Sequence, residues 1–197
     1  ILSGVVGKAL HHLPRSNWTM HSKSIIGAVF EAIKYAHDRN VVHMDIRPGN
    51  IIVDVDAGDT CRTMLSDWGC SLNTQDKLDK LEHFRGCTPY AHDCLLGKSF
   101  KAPAHQFMPN LDFASLAYTF DHVHYGRLRW IFQFDRPSNV SQDDIKVRHE
   151  FVWQWLSSPL PEMSDNIREA LQKVLMPPPC SAPPRCSARL AATSAPV

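Results

Sequence analysis

Apolar side chains recur at helical spacing across residues 22–39: Ile26, Val29, Phe30, Ile33 and His37 share one face, and Ile25 and Ala36 widen it. The pattern predicts a helix that stops near Asn40, a residue type that tolerates a left-handed helix end. The period then changes. Val41-Val42, Ile51-Ile52-Val53 and Thr63-Met64-Leu65 read as three short strands, with a turn at Asp56-Ala57-Gly58-Asp59. Helical spacing returns from Asp112 to about His124, with Phe113, Leu116, Ala117, Phe120 and Val123 on the apolar face. Ser141 and Asp144 make a capping-box pattern opening a third helix to about Leu156. Ser164 caps a fourth, with Ile167, Leu171, Val174 and Leu175 on one side. The expected fold class is therefore mainly α with a few short β-strands crowded into residues 41–66.

Composition bounds what such a chain can be. With 197 residues, 44% hydrophobic and 21% charged, it can form one ordinary core, and wholesale disorder is excluded. Its 21 basic and 20 acidic residues leave a formal charge of +1, which argues against nucleic-acid partners held by bulk electrostatics. No apolar run reaches the length of a membrane span, so no membrane partner is expected. The stretch Ile1–Leu13 is interrupted by Lys8, His11 and His12 and lacks the basic start of a signal peptide. Residues 177–197 hold six of the fourteen prolines and no acidic residue, the composition of a disordered tail. Six irregularly spaced cysteines predict free thiols in a reducing compartment. Cys87, His92, Cys94, His122 and His124 suggest zinc, but no Cys-x-x-Cys pair supports a structural site.

The chemistry lies in the polar loop between the first two strands, His43-Met44-Asp45-Ile46-Arg47-Pro48-Gly49-Asn50, and in Asp67-Trp68-Gly69 just after the third. Phosphoryl transfer needs a carboxylate near the attacking hydroxyl, oxygen ligands for magnesium and a cation on the transferring group. Asp45, the pair Asn50 and Asp67, and Arg47 meet those needs in turn. Taken singly, each is an ordinary polar residue in a turn.

As an ordered set they resemble the C-terminal lobe of a eukaryotic-type protein kinase. Residues 43–50 are similar to the catalytic-loop pattern H-R-D-L-x-x-x-N, and 67–69 to D-F-G. Gly86-Cys87-Thr88-Pro89-Tyr90 resembles the segment closing the activation loop, and Asp112 the buried aspartate that holds the catalytic-loop backbone. The resemblance implies catalytic roles for Asp45 (base) and Arg47 (γ-phosphate contact, favouring Ser/Thr acceptors), with Asn50 and Asp67 holding magnesium and so the nucleotide, and His43 packing under the loop. ATP and Mg are the implied cofactors and a protein the implied substrate.

Departures from the pattern shape the expectation. Met44 stands where many kinases place an Arg that pairs with a phosphorylated activation loop, so phosphate on Ser71, Thr74 or Thr88 is not expected to act through it. Trp68 replaces Phe, as in casein kinase 2, and Tyr90-Ala91 followed by Asp112-x-x-Ser115-Leu116-x-Tyr118 faintly resembles casein kinase 1. Cys87 replaces a Thr whose hydroxyl links the base, predicting a weakened link. His92-Asp93-Cys94 replaces A-P-E, predicting loss of an anchoring ion pair. No G-x-G-x-x-G, V-A-I-K strand or helix-C Glu precedes residue 25, and Gly4-Val5-Val6-Gly7-Lys8 lacks phosphate-loop spacing.

The expected organisation is a lead-in over 1–24 (a remnant of the hinge and helix D), a kinase-like C-lobe over 25–176 with the N-lobe absent, and the tail over 177–197. The initial Ile1 fits a fragment. The expected function is that of a partial Ser/Thr protein kinase, inactive in isolation and prone to association through its N-lobe-facing surface. The alternative is a non-catalytic, pseudokinase-like binding module, motivated by Met44, Cys87 and Cys94. Missing signals imply an intracellular location, cytoplasmic or nuclear.

Overall fold

The computed structural model describes residues 7–55, 60–75, 86–96, 108–130, 140–158 and 163–175. The expected turn at 56–59 and the tail at 177–197 lie outside them. In chain order the elements are β1 (Lys8–Ala9), α1 (Arg15–His37), β2 (Val41–Val42), β3 (Ile51–Val55), β4 (Cys61–Leu65), β5 (Leu72–Asn73), α2 (Met108–Tyr125), α3 (Gln142–Ser157) and α4 (Asp165–Leu175). The mostly helical architecture with a few short strands matches the expected class.

Helix α1 starts at Arg15, earlier than the periodicity alone predicts. Pro14 occupies its N-cap position, and the buried face already includes Trp18, His21 and Ser22. Two of those three are polar, so a hydrophobic pattern could not reveal the first turns. The Trp18 ring stacks on Phe120 of α2 at 5.8 Å. Helix α2 is the centre of the molecule: Leu111, Ala114, Leu116, Ala117, Tyr118 and Phe120 are all buried. A helix enclosed on several sides in this way belongs in a core, and α2 packs against α1, α3 and α4.

The β3–β4 hairpin pairs Ile51 with Leu65 and Val55 with Cys61, and β1 adds an antiparallel edge through Lys8↔Val53. β5 pairs with β2 in a second small sheet, Val42 opposite Leu72. β1 and β5 were not anticipated, because two-residue strands carry too little periodicity to be seen. Cys61, Cys70, Cys87 and Cys94 are free thiols.

The predicted capping box is formed in full. Ser141 Oγ accepts from the Asp144 N–H at 3.1 Å, and Asp144 Oδ2 accepts from the Ser141 N–H at 3.2 Å. Ser141→Ala should therefore lower stability by about 1 kcal/mol, read from urea unfolding. An unchanged midpoint would mean that packing alone holds the end of α3.

Candidate active site

The loop 43–50 is bound from beneath by α2. Asp112 is buried, with Oδ2 accepting the His43 N–H at 2.7 Å and Oδ1 the Met44 N–H at 2.9 Å. His37, in the last turn of α1, adds Nε2 to Asp112 Oδ2 at 2.9 Å. Burying a carboxylate is costly unless hydrogen bonds replace its water, and these three contacts do so. Asp112 lies inside α2 and is not a helix cap. Further along the same helix, Thr119 Oγ1 donates to the Ile46 carbonyl at 3.1 Å, a tether that sequence reasoning missed. Met44 is buried with φ of +70°, a left-handed conformation held by its own amide bond to Asp112 and that of the preceding His43.

His43 acts as a strut. Its Nδ1 faces the Asp45 N–H at 3.3 Å, so that nitrogen accepts, and Nε2 donates to the Ser66 carbonyl at 3.0 Å. Its ring packs on Trp68 at 4.5 Å, under the loop as expected. The strut thus joins the backbone of Asp45 to the residue preceding Asp67.

The Asp45 carboxylate is the meeting point. Oδ1 accepts the Cys87 N–H at 2.8 Å, while Oδ2 accepts from Asn50 Nδ2 at 2.8 Å and from Arg47 Nε at 3.1 Å. Asn50 Nδ2 also donates to the Asp45 carbonyl at 2.8 Å. Both amide hydrogens of Asn50 are thereby engaged, which orients its carbonyl oxygen for a cation. Asp67 reaches the group through the hairpin register. Since Ile51 pairs with Leu65, Asn50 and Ser66 flank the hairpin's closed ladder, and Ser66 N and Oγ both donate to the main-chain carbonyl of Asn50 at 2.8 and 2.9 Å. Asp67 follows directly, exposed and with φ of +62°, its Oδ1 accepting the Gly69 N–H at 3.4 Å. Asp45, Arg47 and Asn50 are therefore in direct contact, and Asp67 is tied to them through Ser66.

Two expectations are corrected here. The link from Cys87 to Asp45 runs through its backbone amide, so the weak thiol donor is not what makes it. Burial, and then the Asp45 charge, push the Cys87 thiol up and keep it protonated. The anchoring ion pair is also present: Asp93 Oδ1 pairs with Arg148 Nη2, a residue 0% exposed. Tyr118 OH donates to the same oxygen at 3.1 Å, and His149 Nδ1 stands 3.8 Å from Oδ2. Arg148 also donates to the Pro89 carbonyl at 3.2 Å and lies over the Tyr118 ring at 4.0 Å. Burial opposes ionisation of Asp93, but His149 and Arg148 prevail and hold it down at about 2. The segment from Gly86 to Leu96 is thus fastened to α2 and α3 without the expected glutamate. Near the hairpin, Trp68 and Met64 are each 38% exposed.

The Asp45 carboxylate, the Asn50 side-chain oxygen and the Asp67 carboxylate lie at one hairpin mouth, in a loop whose start is held by buried Asp112, an arrangement compatible with a protein kinase fold. The protein kinase domain family model matches residues 6–189, and the chain belongs to that family. It is 33% identical over 70 residues to mitogen-activated protein kinase 2 of Oryza sativa subsp. japonica, covering 34% of this chain and 17% of the relative. It is 37% identical over 62 residues to the liver/testis phosphorylase b kinase gamma catalytic chain of Bos taurus, covering 30% and 14%. Against serine/threonine-protein kinase PknJ of Mycobacterium bovis the identity is 41% over 51 residues, covering 26% and 9%. The matched stretches therefore span less than a fifth of these curated relatives. Among the described residues, no helix is long and apolar enough to cross a membrane.

Proposed function

We propose that the chain carries the catalytic loop of a Mg-ATP-dependent protein serine/threonine kinase. Asp45 takes the proton of the acceptor hydroxyl, and Arg47 steadies the negative charge of the transferring phosphoryl group. The Asn50 carbonyl oxygen and the Asp67 carboxylate are hard oxygen donors that suit Mg²⁺, which would supply charge neutralisation on the phosphates. The observation that carries this reading is the threefold grip on the Asp45 carboxylate by Cys87, Asn50 and Arg47. A carboxylate held at both oxygens is oriented before substrate arrives, which is what positioned general bases need.

The non-catalytic reading loses support from the same contacts. It rested on Met44, Cys87 and Cys94. Met44 keeps the loop's backbone attachment to Asp112, Cys87 holds the base by its amide, and Asp93 supplies the ion pair beside Cys94. The 197 residues contain no G-x-G-x-x-G run. Transfer by this chain alone is accordingly expected to be slow, since nothing of that type covers the phosphates.

Magnesium-dependent nucleotide binding is the direct test. Mg-ATP should raise the melting temperature above that with ATP and chelator, approaching about 2.7 kcal/mol of stabilisation at a hundredfold excess over Kd. Asp67→Asn, at an exposed position that leaves the fold intact, should abolish the magnesium-dependent part. No magnesium-dependent shift in the unmodified chain would favour the binding module instead.

A further inference from the structure

Ser66, half-buried, puts its N–H, its hydroxyl and its carbonyl into one closed circuit of hydrogen bonds. The N–H and the hydroxyl both donate to the main-chain carbonyl of Asn50, at 2.8 and 2.9 Å. The Ser66 carbonyl accepts from His43 Nε2 at 3.0 Å. His43 Nδ1 in turn accepts the Asp45 N–H at 3.3 Å. Asn50 Nδ2 closes the circuit on the Asp45 carbonyl and on Asp45 Oδ2, at 2.8 Å each. The proposed base, one proposed magnesium donor and the residue preceding the other donor are thereby joined. His43, Asp45 and Asn50 already have a part in the site, and Ser66 is the member without one.

Asp67, the next residue, needs support from its surroundings. Its φ of +62° lies in the left-handed region, which a residue with a Cβ keeps only when neighbouring structure holds it there. Its own side chain is exposed and accepts the Gly69 N–H at 3.4 Å, a long and weak restraint. The firmer restraint comes through Ser66. His43 orients the peptide plane that leads into Asp67, and the two donors hold Ser66 beside Asn50. One donor, the Ser66 N–H, already satisfies the Asn50 carbonyl. The hydroxyl is not required for that purpose, so its effect falls on alignment.

We propose that the Ser66 hydroxyl is a positioning group: it fixes the Asp67 carboxylate relative to the Asn50 side-chain oxygen and so sets how strongly magnesium tightens nucleotide binding. The inference rests on the kinase reading. Both donors are hard oxygens of the kind a small divalent cation takes. Outer contacts that orient such donors typically contribute about 10–100-fold in metal affinity.

The test compares the unmodified chain with Ser66→Ala and Ser66→Thr. ATP affinity is measured calorimetrically with saturating magnesium and again with chelator, and the ratio of the two gives the magnesium enhancement. Ser66→Ala keeps the N–H bond, so its melting transition without nucleotide and its metal-free ATP affinity should stay unchanged. Its magnesium enhancement should fall about tenfold, at the lower end of such outer contacts. Ser66→Thr retains the hydroxyl and should retain the enhancement. In transfer from radiolabelled ATP, the deficit of Ser66→Ala should shrink as magnesium is raised, a response that general loosening of the fold would not give. An undiminished enhancement in Ser66→Ala, or an equal fall in its metal-free affinity, would overturn the inference while leaving the kinase reading in place. Absence of any enhancement in the unmodified chain would instead sink both.

Discussion

Asp93→Ala should destabilise the protein by about 3–5 kcal/mol, because it breaks an ion pair to a fully buried guanidinium. Arg148 is 0% exposed, whereas Asp93 is 29% exposed, and the two partners are therefore not equivalent. Removing the aspartate leaves a buried cation that water cannot reach, with the Pro89 carbonyl and the Tyr118 ring still against it. Arg148→Met takes the buried charge away and fills similar space, leaving a carboxylate that water, Tyr118 and His149 can still stabilise. Its cost should be smaller, and the double variant should recover part of the loss of Asp93→Ala. Urea unfolding of the three variants gives the ranking; equal losses for both single changes would refute the asymmetry.

Acid provides a second check. Asp93 is held at about 2, below its ordinary 3.8, so the unfolded chain takes up the proton first as pH falls. The stabilisation is fully present above about pH 4 and fades as pH drops through about 2. The gap between the unmodified protein and Asp93→Ala should narrow over that window. A gap that widens there would contradict the assignment of the ion pair.

Asp45→Ala should reduce phosphate transfer by about 10²–10⁴-fold, the usual contribution of a positioned general base. The measurement is incorporation from radiolabelled ATP with protein in excess, so that slow turnover is visible. Magnesium-dependent stabilisation by ATP should survive, because the oxygens assigned to the metal belong to Asn50 and Asp67. Some looseness is expected, since the Cys87 amide and one Asn50 hydrogen lose their acceptor. Asp45→Asn separates the effects: it keeps the volume but cannot take a proton, and its amide group meets donors where the carboxylate accepted. Transfer at unmodified rates in either variant would remove Asp45 as the base.

Much of this site could be read in advance because its parts are local. The loop 43–50 spans one connection between two apolar runs, and Asp67-Trp68-Gly69 follows a strand whose alternation is visible. The four helices were legible from periodicity, and the start of α3 from a cap whose two halves lie three residues apart. What escaped was non-local or carried by the backbone. Thr119 meets the Ile46 carbonyl across 73 positions and Asp93 meets Arg148 across 55, separations at which a sequence offers no register. The Cys87 contact is an amide that nearly any residue would provide, so side-chain chemistry pointed to the wrong atom.

By itself, then, the sequence determined the four helices and three of the five strands and singled out the side chains proposed to move a phosphoryl group, because both depend on short-range spacing and residue chemistry. It also narrowed the choice of family through motif order. Only the tertiary structure decided how those groups are held. Helix α2 is enclosed by its neighbours, and this burial turns Asp112 and Thr119 into fixed anchors for the loop 43–50. The hairpin ladder sets Asn50 and Ser66 together, and a buried arginine supplies the ion pair that the motif had seemed to lose. Each of these arises from packing segments far apart in the chain, where a buried polar group is retained only if its partner arrives from elsewhere.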